Sequence, residues 1–182
     1  MSETKQLHQT IIEACKLNDA KAQMQLYDRY SQAMYTVALR YVKEVAEAED
    51  VMQEAFIKAF KKIHLYKEEV SFGAWLKKIV VNQSIDSLKK KKIALVSINE
   101  EITEQAYHDT WEVAPHIQRA DVVKAISELS TKYQVVLNLY LLEGYDHSEI
   151  SQILGISEVT SRTQLMRGRK QVQQILKKKH YA

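Results

Sequence analysis

Residues Asp146 to Val172 read DHSEISQILGISEVTSRTQLMRGRKQV, and the spacing inside this stretch decides how the rest of the chain is understood. Asp146 is followed three positions later by Glu149, the spacing at which a helix cap and a third-position side chain satisfy each other's exposed backbone donors. A helix is expected to start there and to bury Ile150, Ile153 and Leu154. Gly155 ends it, because glycine enters the left-handed conformation without steric cost, and Ser157 is placed to cap the next helix. From Glu158 onward, at about 100° per residue, Ser161, Leu165, Gly168, Val172 and Ile175 share one side within about 80°. Arg162, Thr163, Met166, Arg167 and Lys170 gather opposite them. Helix, glycine turn and a second helix with a basic outer face make the helix-turn-helix arrangement, whose second helix enters the DNA major groove. A solvated helical hairpin would share the basic face, but it would not need the paired caps or the small residues on the packed side.

Upstream, Val122, Val123, Ile126, Leu129, Val135, Val136, Leu139, Leu141 and Leu142 supply two more amphipathic helices, split near Ser130-Thr131-Lys132. The result is a four-helix module of roughly 60 residues, a size with a modest stability margin. Arginine can read guanine edges with two hydrogen bonds, whereas Lys170 and the run Lys177 to Lys179 suit phosphates. Thr160 and Thr163 stand near the start of the second helix, within reach of phosphates or bases.

Composition extends the helical reading to the whole chain. Its 182 residues hold only four glycines and one proline, and 46% are hydrophobic, which predicts an all-α protein of one compact domain or two small ones. Cys15 is the single cysteine, so neither an internal disulfide nor a zinc cluster is expected, in keeping with a reducing cytoplasm. No signal-peptide core and no apolar run of membrane-spanning length is present, so a cytoplasmic protein without membrane insertion is expected. An enzyme is not expected either: there is no glycine-rich phosphate loop, no HExxH, and no nucleophile with a recognisable base. No cofactor or metal is implied, and the six scattered histidines read as surface residues.

Charge is distributed in blocks. Residues 61–92 hold nine basic residues against three acidic ones and residues 119–182 hold ten against six, while residues 93–118 hold none against five. The acidic stretch contains Pro115 and has no sustained period, so it reads as a linker, either a flexible tether or a short segment that docks. Three parts follow: residues 1–92, the linker 93–118, and residues 119–182.

Within the first part, VAEAEDVMQEAFIKAFKKI places Ala48, Met52, Ala55, Phe56, Ala59 and Ile63 on one side of a helix and Asp50, Gln53, Glu54 and Ile57 on the other, with Glu47 beside them. That acidic face is either solvated or a docking site for a basic partner helix. In the next helix, capped by Ser71, Phe72, Trp75, Leu76, Ile79 and Val80 form a stripe, but Ile85 and Leu88 lie about 150° or more away from it. Either the helix bends near Asn82 or it is covered on two sides. Lys77, Lys78 and Lys89 to Lys92 stand beside aromatics and an amide, a combination suited to single-stranded nucleic acid, although Trp75 alone would also suit a core.

These two modules, their order and the acidic linker resemble bacterial RNA polymerase sigma factors of the extracytoplasmic-function type, the small members of the sigma-70 family with only the region 2 and region 4 domains. The resemblance runs from about Gln23 to Leu176 and rests on AEDVMQEAFIKAF, WLKKIVVNQSIDSLKKKK and GISEVTSRTQLMRGRK in this order. It implies a sigma region 2 domain in 1–92 and a region 4 domain in 119–182. It also implies core RNA polymerase as partner, through the clamp helices of the largest subunit and the flap. Docking on the clamp falls to Glu49, Asp50, Gln53 and Glu54. The −10 element, opened and held as a single strand, falls to Trp75, Lys78, Asn82, Lys89 and Lys90, with a specificity loop at about His64 to Gly73. The linker would thread toward the RNA exit path. The −35 element of promoter DNA falls to Ser157, Thr160, Arg162, Thr163, Met166, Arg167 and Lys170, and an anti-sigma factor is a further implied partner. Two positions depart from the family pattern: Val159-Thr160-Ser161 stands where Gly-Thr-Val is common, and Gly168 stands where alanine is common, at a helix-propensity cost of roughly 1 kcal/mol unless close packing requires it. The competing expectation is a conventional helix-turn-helix regulator of duplex operator DNA, with residues 1–92 as a sensor or dimerisation domain.

Overall fold

The computed structural model describes residues 3–91 and 117–180. Described residues are helical or in turns, with no strand among them, and the chain divides into two compact units, Met1–Lys90 and Lys91–Ala182. Apart from Ile117 and Gln118, the acidic linker assigned to 93–118 lies outside the described residues.

The first unit holds α1 (Glu3–Lys16), α2 (Ala20–Val42), α3 (Val45–Lys62), a 3-10 turn (Ile63–Leu65) and α4 (Phe72–Lys90). Asp19 starts α2 by accepting from the Lys21 and Ala22 amides at 2.8 and 3.0 Å. The helix ends where Lys43 turns left-handed at φ 64°. Helices α2, α3 and α4 pack against one another pairwise. On α3 the contact side carries three wholly buried alanines, Ala48, Ala55 and Ala59, which keep the neighbouring helices close, while Phe56 and Met52 fill the remaining space.

This packing resolves the phase shift in the fourth helix. It runs unbroken from Phe72 to Lys90, and it is covered on two sides, by α2 and by α3. Phe72, Leu76 and Val80 therefore share burial with Val81, Ile85 and Leu88, which a single-faced helix would leave in water. Gln83 and Ser84 are buried in the same helix and are satisfied locally: Ser84 Oγ donates to the Val80 carbonyl at 2.8 Å, and Gln83 joins a polar seam with α3.

The second unit holds α5 (Arg119–Ser127), α6 (Thr131–Leu137), a π-helical turn (Asn138–Leu142), α7 (His147–Leu154) and α8 (Glu158–His180). Gln118, the last residue assigned to the linker, caps α5 in a reciprocal pair with Asp121. The long α8 packs against α5, α6 and α7 and carries the core of the unit. Where regular amphipathic helix was expected through Leu142, the backbone widens: the Glu143 amide reaches back to the Asn138 carbonyl at 3.1 Å, and Leu141 and Leu142 are half-buried. Along α8 the packed stripe also differs at its far end, where Leu176 is buried and Ile175 only partly so. Gln164, expected on neither face, is fully buried.

Candidate nucleic-acid interface

The α7–α8 hairpin is built by its caps. Asp146 accepts from the Glu149 amide at 2.8 Å, and Glu149 accepts from the Asp146 amide at 2.9 Å, so two of the orphan donors at the start of α7 are satisfied. Gly155 takes φ 71° and returns its amide to Ser151, which turns the chain sharply into Ser157. Ser157 Oγ then accepts from the Thr160 amide at 3.0 Å and lies 2.8 Å from the Thr160 hydroxyl.

These caps orient α8 as expected. Ser161, Leu165, Gly168 and Val172 face the unit's core, and Arg162 and Lys170 are exposed on the outer side, with Thr160, Thr163, Met166 and Arg167 partly exposed between them. Arg162 and Thr163, also assigned to the −35 element, are engaged within the helix itself. Arg162 pairs with Glu158 at 2.6 Å, and Thr163 donates its hydroxyl proton to the Val159 carbonyl at 2.9 Å. Both are exchangeable surface contacts of the kind worth a few tenths of a kcal/mol.

Gly168 has a packing reason. A Cβ built there would stand 2.4 Å from Leu137 Cδ1 and 3.3 Å from Tyr133 Cβ, so glycine lets α8 lie directly on α6.

His147 was expected at the surface and is instead half-buried between helices. Its Nδ1 lies 2.8 Å from the hydroxyl of the buried Ser161, and its ring stacks on Tyr140 at 4.9 Å, with the Arg169 guanidinium over the same tyrosine. One side chain thus ties α7 to the π-helical turn and to α8. His8 is also half-buried, whereas His64 is exposed. Nothing in the spacing of the histidines distinguished these cases, because the partners of His147 lie seven and fourteen residues away on other elements.

Burial holds the His147 imidazole below its ordinary value of 6.5, the Arg162 charge adds to this, and Glu158 opposes it. Folding therefore favours the neutral ring. Its contribution to stability is complete above about pH 6.5 and is lost as pH falls through the lower folded value. The acid-side fall in the unfolding midpoint between pH 7 and pH 5 is expected to be shallower in His147→Gln than in the parent chain. Equal slopes in the two proteins would remove His147 from the account.

In the first unit, Trp75, Lys78, Asn82 and Lys89 fall within a wedge of about 60° on α4, and Lys90 lies about 60° beyond it. Lys78, Asn82, Lys89 and Lys90 are exposed. Trp75 is half-buried, packed on Tyr66 at 5.4 Å and Phe72 at 5.6 Å, so it belongs to an aromatic cluster and keeps an open face as well. The loop leading into α4 is closed on itself by Tyr66, whose hydroxyl donates to the Val70 carbonyl at 2.6 Å.

Glu49, Asp50, Gln53 and Glu54 are all exposed on α3, as is Ile57. The structure divides them. Glu49 and Gln53 line a groove with Tyr27, Tyr35 and Met52 toward α2. Glu54 leans toward α4, accepting from Gln83 Nε2, while Lys58 donates to the same Gln83 amide. Glu47 accepts from Ser87 at 2.7 Å along the same seam. Asp50 stands on the crest between the two edges. The Gln83 bridge escaped sequence reading because a glutamine in a basic helix looks like one more surface residue.

Among the described residues no group of acidic, histidine or cysteine side chains is placed to hold a metal, and no helix is long and apolar enough to cross a membrane. A helix-turn-helix with a basic outer face, in a chain whose other unit pairs an exposed acidic helix face with a basic, aromatic-flanked one, defines a DNA-binding protein with further charged helix faces. Sigma-70 region 2 matches residues 26–93, and Sigma-70 region 4 matches residues 119–172. The ECF RNA polymerase sigma factor SigW of Bacillus subtilis is 30% identical over 177 residues, covering 91% of this chain and 95% of that protein. SigM of the same organism is 29% identical over 150 residues, covering 81% and 91%. Among solved structures, the sigma factor RpoE of Bartonella quintana, crystallised with the anti-sigma factor NepR, superposes with a TM-score of 0.51 at 21% identity, over 85% of this chain and 96% of that one. The chain belongs to the extracytoplasmic-function sigma factors of the sigma-70 family. It is a sigma factor of transcription initiation, and the reading as an operator-binding regulator is not favoured.

Proposed function

We propose that this sigma factor divides its work among three surfaces. The crest of α3, with Glu49, Asp50, Gln53 and Glu54, docks on the clamp helices of core RNA polymerase. The exposed wedge of α4, with Trp75, Lys78, Asn82, Lys89 and Lys90, and the loop 64–73 hold the −10 element as a single strand. The outer face of α8, with Ser157, Thr160, Arg162, Thr163, Met166, Arg167 and Lys170, reads the −35 element in the major groove. Residues 1–92 and 119–182 act as separate domains, and the acidic stretch 93–118 threads between them toward the RNA exit path. The protein acts in the cytoplasm by binding alone, with no catalytic step or cofactor of its own, and an anti-sigma factor that covers either face would silence it.

The observation that carries this reading is the wedge on α4. Exposed cations, an exposed amide and the open face of a half-buried indole share one strip beside a closed aromatic loop, an arrangement that suits stacked, unpaired bases and has no use in a protein that binds only duplex DNA. Run-off transcription with core polymerase and a promoter library tests it. Promoter-dependent product is expected, and its absence together with failure to bind core would sink the reading. Within it, Arg167→Ala is expected to weaken binding to a −35 duplex by about 10- to 100-fold, the worth of one bidentate base contact, and to leave core binding intact. Loss of core binding in Arg167→Ala would overturn the division of labour.

A further inference from the structure

Helix α1 lies ahead of the residues that match region 2, yet it packs on α2 and on the 3-10 turn at the start of the loop 64–73, and it faces the rest of that loop across a cavity lined by His8, Ile12, Tyr66 and Glu68. Ile12 and Cys15 anchor it in the core of the unit. Its His8 meets two side chains of α2: Nε2 lies 3.3 Å from Arg29 Nη1, and Nδ1 lies 3.2 Å from the Tyr30 hydroxyl. A guanidinium can only donate, so Nε2 is the acceptor, and the neutral ring carries its proton on Nδ1 and donates to Tyr30. The histidine thereby sets where the Tyr30 ring stands.

That position matters to the loop. Tyr30 meets Phe72 edge-on at 5.4 Å, and Phe72 in turn packs on Tyr66 and Trp75, both at 5.6 Å. Tyr30 also backs directly on the first turn of α4: a Cβ at Gly73 would come within 3.0 Å of Tyr30 Cε1. A second contact from α1 reaches the loop itself: Lys16 Nζ, which pairs with Glu13 at 2.7 Å, also lies 3.9 Å from Glu68 Oε1. Glu68 is a non-glycine residue held at φ 62°, a conformation that costs about 1 kcal/mol or more and persists only where neighbours enforce it.

We propose that α1 is a positioning element for −10 recognition: His8, through Tyr30 and Phe72, and Lys16, through Glu68, hold the loop 64–73 and Trp75 in their reading geometry without touching DNA. The inference rests on the assignment of that loop and Trp75 to the −10 element.

The experiment uses the full chain with core polymerase. Transcription is compared between the preferred promoter from the library and versions with single changes in the −10 element, under one constant −35 element. His8→Ala removes the first contact. Lys16→Glu sets a carboxylate beside Glu68 and Glu13. Each is expected to lower the −10 discrimination ratio at least threefold while core affinity and −35 preference stay unchanged. His8→Gln, which keeps one acceptor and one donor, and the charge exchange Lys16→Glu with Glu68→Lys are expected to restore most of the ratio. A purely structural helix would not show this rescue.

Unchanged discrimination in both single variants, with Trp75→Ala abolishing it, would overturn the role of α1 and leave the −10 assignment standing. Loss of core binding in His8→Ala would also overturn it, by showing that α1 merely supports the unit. Unchanged discrimination in Trp75→Ala would remove the −10 assignment itself, and the inference with it.

Discussion

Asp50→Arg is expected to weaken binding of the full chain to core RNA polymerase by about 30- to 100-fold, roughly 2–3 kcal/mol, in moderate salt. Asp50 is exposed on the crest of α3, between an edge that lines the groove toward α2 and an edge tied to α4. If this face docks as proposed, reversal there sets a cation against a basic partner helix, and an attraction becomes a repulsion. The fold should tolerate the change, because arginine has a higher helix propensity than aspartate at an exposed position. Glu54 and Glu47 make poorer probes, since each accepts a hydrogen bond from α4 and its loss would loosen the α3–α4 seam. The deficit should shrink as salt is raised, because exposed charges are screened beyond about 10 Å at 0.1 M ionic strength. Equal affinity of Asp50→Arg and the parent chain, measured by titration against core, would remove this face from the docking surface.

Gly168→Leu is expected to leave the C-terminal unit unfolded, and Gly168→Ala to destabilise it by about 1–2 kcal/mol. Alanine gains about 1 kcal/mol of helix propensity over glycine, so a substitution at an exposed site would stabilise. Here the added carbon falls 2.4 Å from Leu137 Cδ1, and Leu137 is fully buried, so it cannot swing into solvent to make room. Tyr133 Cβ, at 3.3 Å, sits next to the α6 backbone and moves only if that helix moves. Overpacking of this kind costs about 1–3 kcal/mol, and a leucine adds three more carbons to the same gap. A module of roughly 60 residues has few kcal/mol to lose. Urea unfolding followed with −35 duplex binding would show both effects. The double variant Leu137→Ala with Gly168→Ala should lose less than the two single losses combined, because the smaller side chain vacates the contested space. A Gly168→Ala chain more stable than the parent would show that α6 yields freely and that close packing is not why glycine stands there.

Local signals were legible where the chemistry is local. Asp146 with Glu149, Gly155 and Ser157 lie within a dozen residues, and caps depend only on near neighbours, so the start, stop and turn of the helix-turn-helix followed from spacing alone. The outer face of α8 came with them, since a helix that buries Leu165 and Val172 must present Arg162 and Lys170. The same reasoning misplaced Ile175 and left out Gln164, because over a long helix small departures from ideal pitch accumulate and the packed stripe drifts. The residues of α3 and α4 assigned to polymerase and the −10 strand were legible as exposed polar residues, except Trp75, which falls on the apolar stripe of α4 and is half-buried; their roles came from resemblance.

By itself the sequence determined an all-α chain in two modules, the start, stop and turn of the α7–α8 hairpin, and the faces of α3 and α8 that carry charge, because propensity, capping and periodicity act over a few residues. Tertiary structure alone decided how many sides of α4 are covered, why Gly168 is glycine, which histidines are buried, and that Gln83 and Glu54 join two helices. Each of these depends on a different element that arrives opposite, from seven residues to several tens away along the chain. A helical period records that a face is buried but not what buries it.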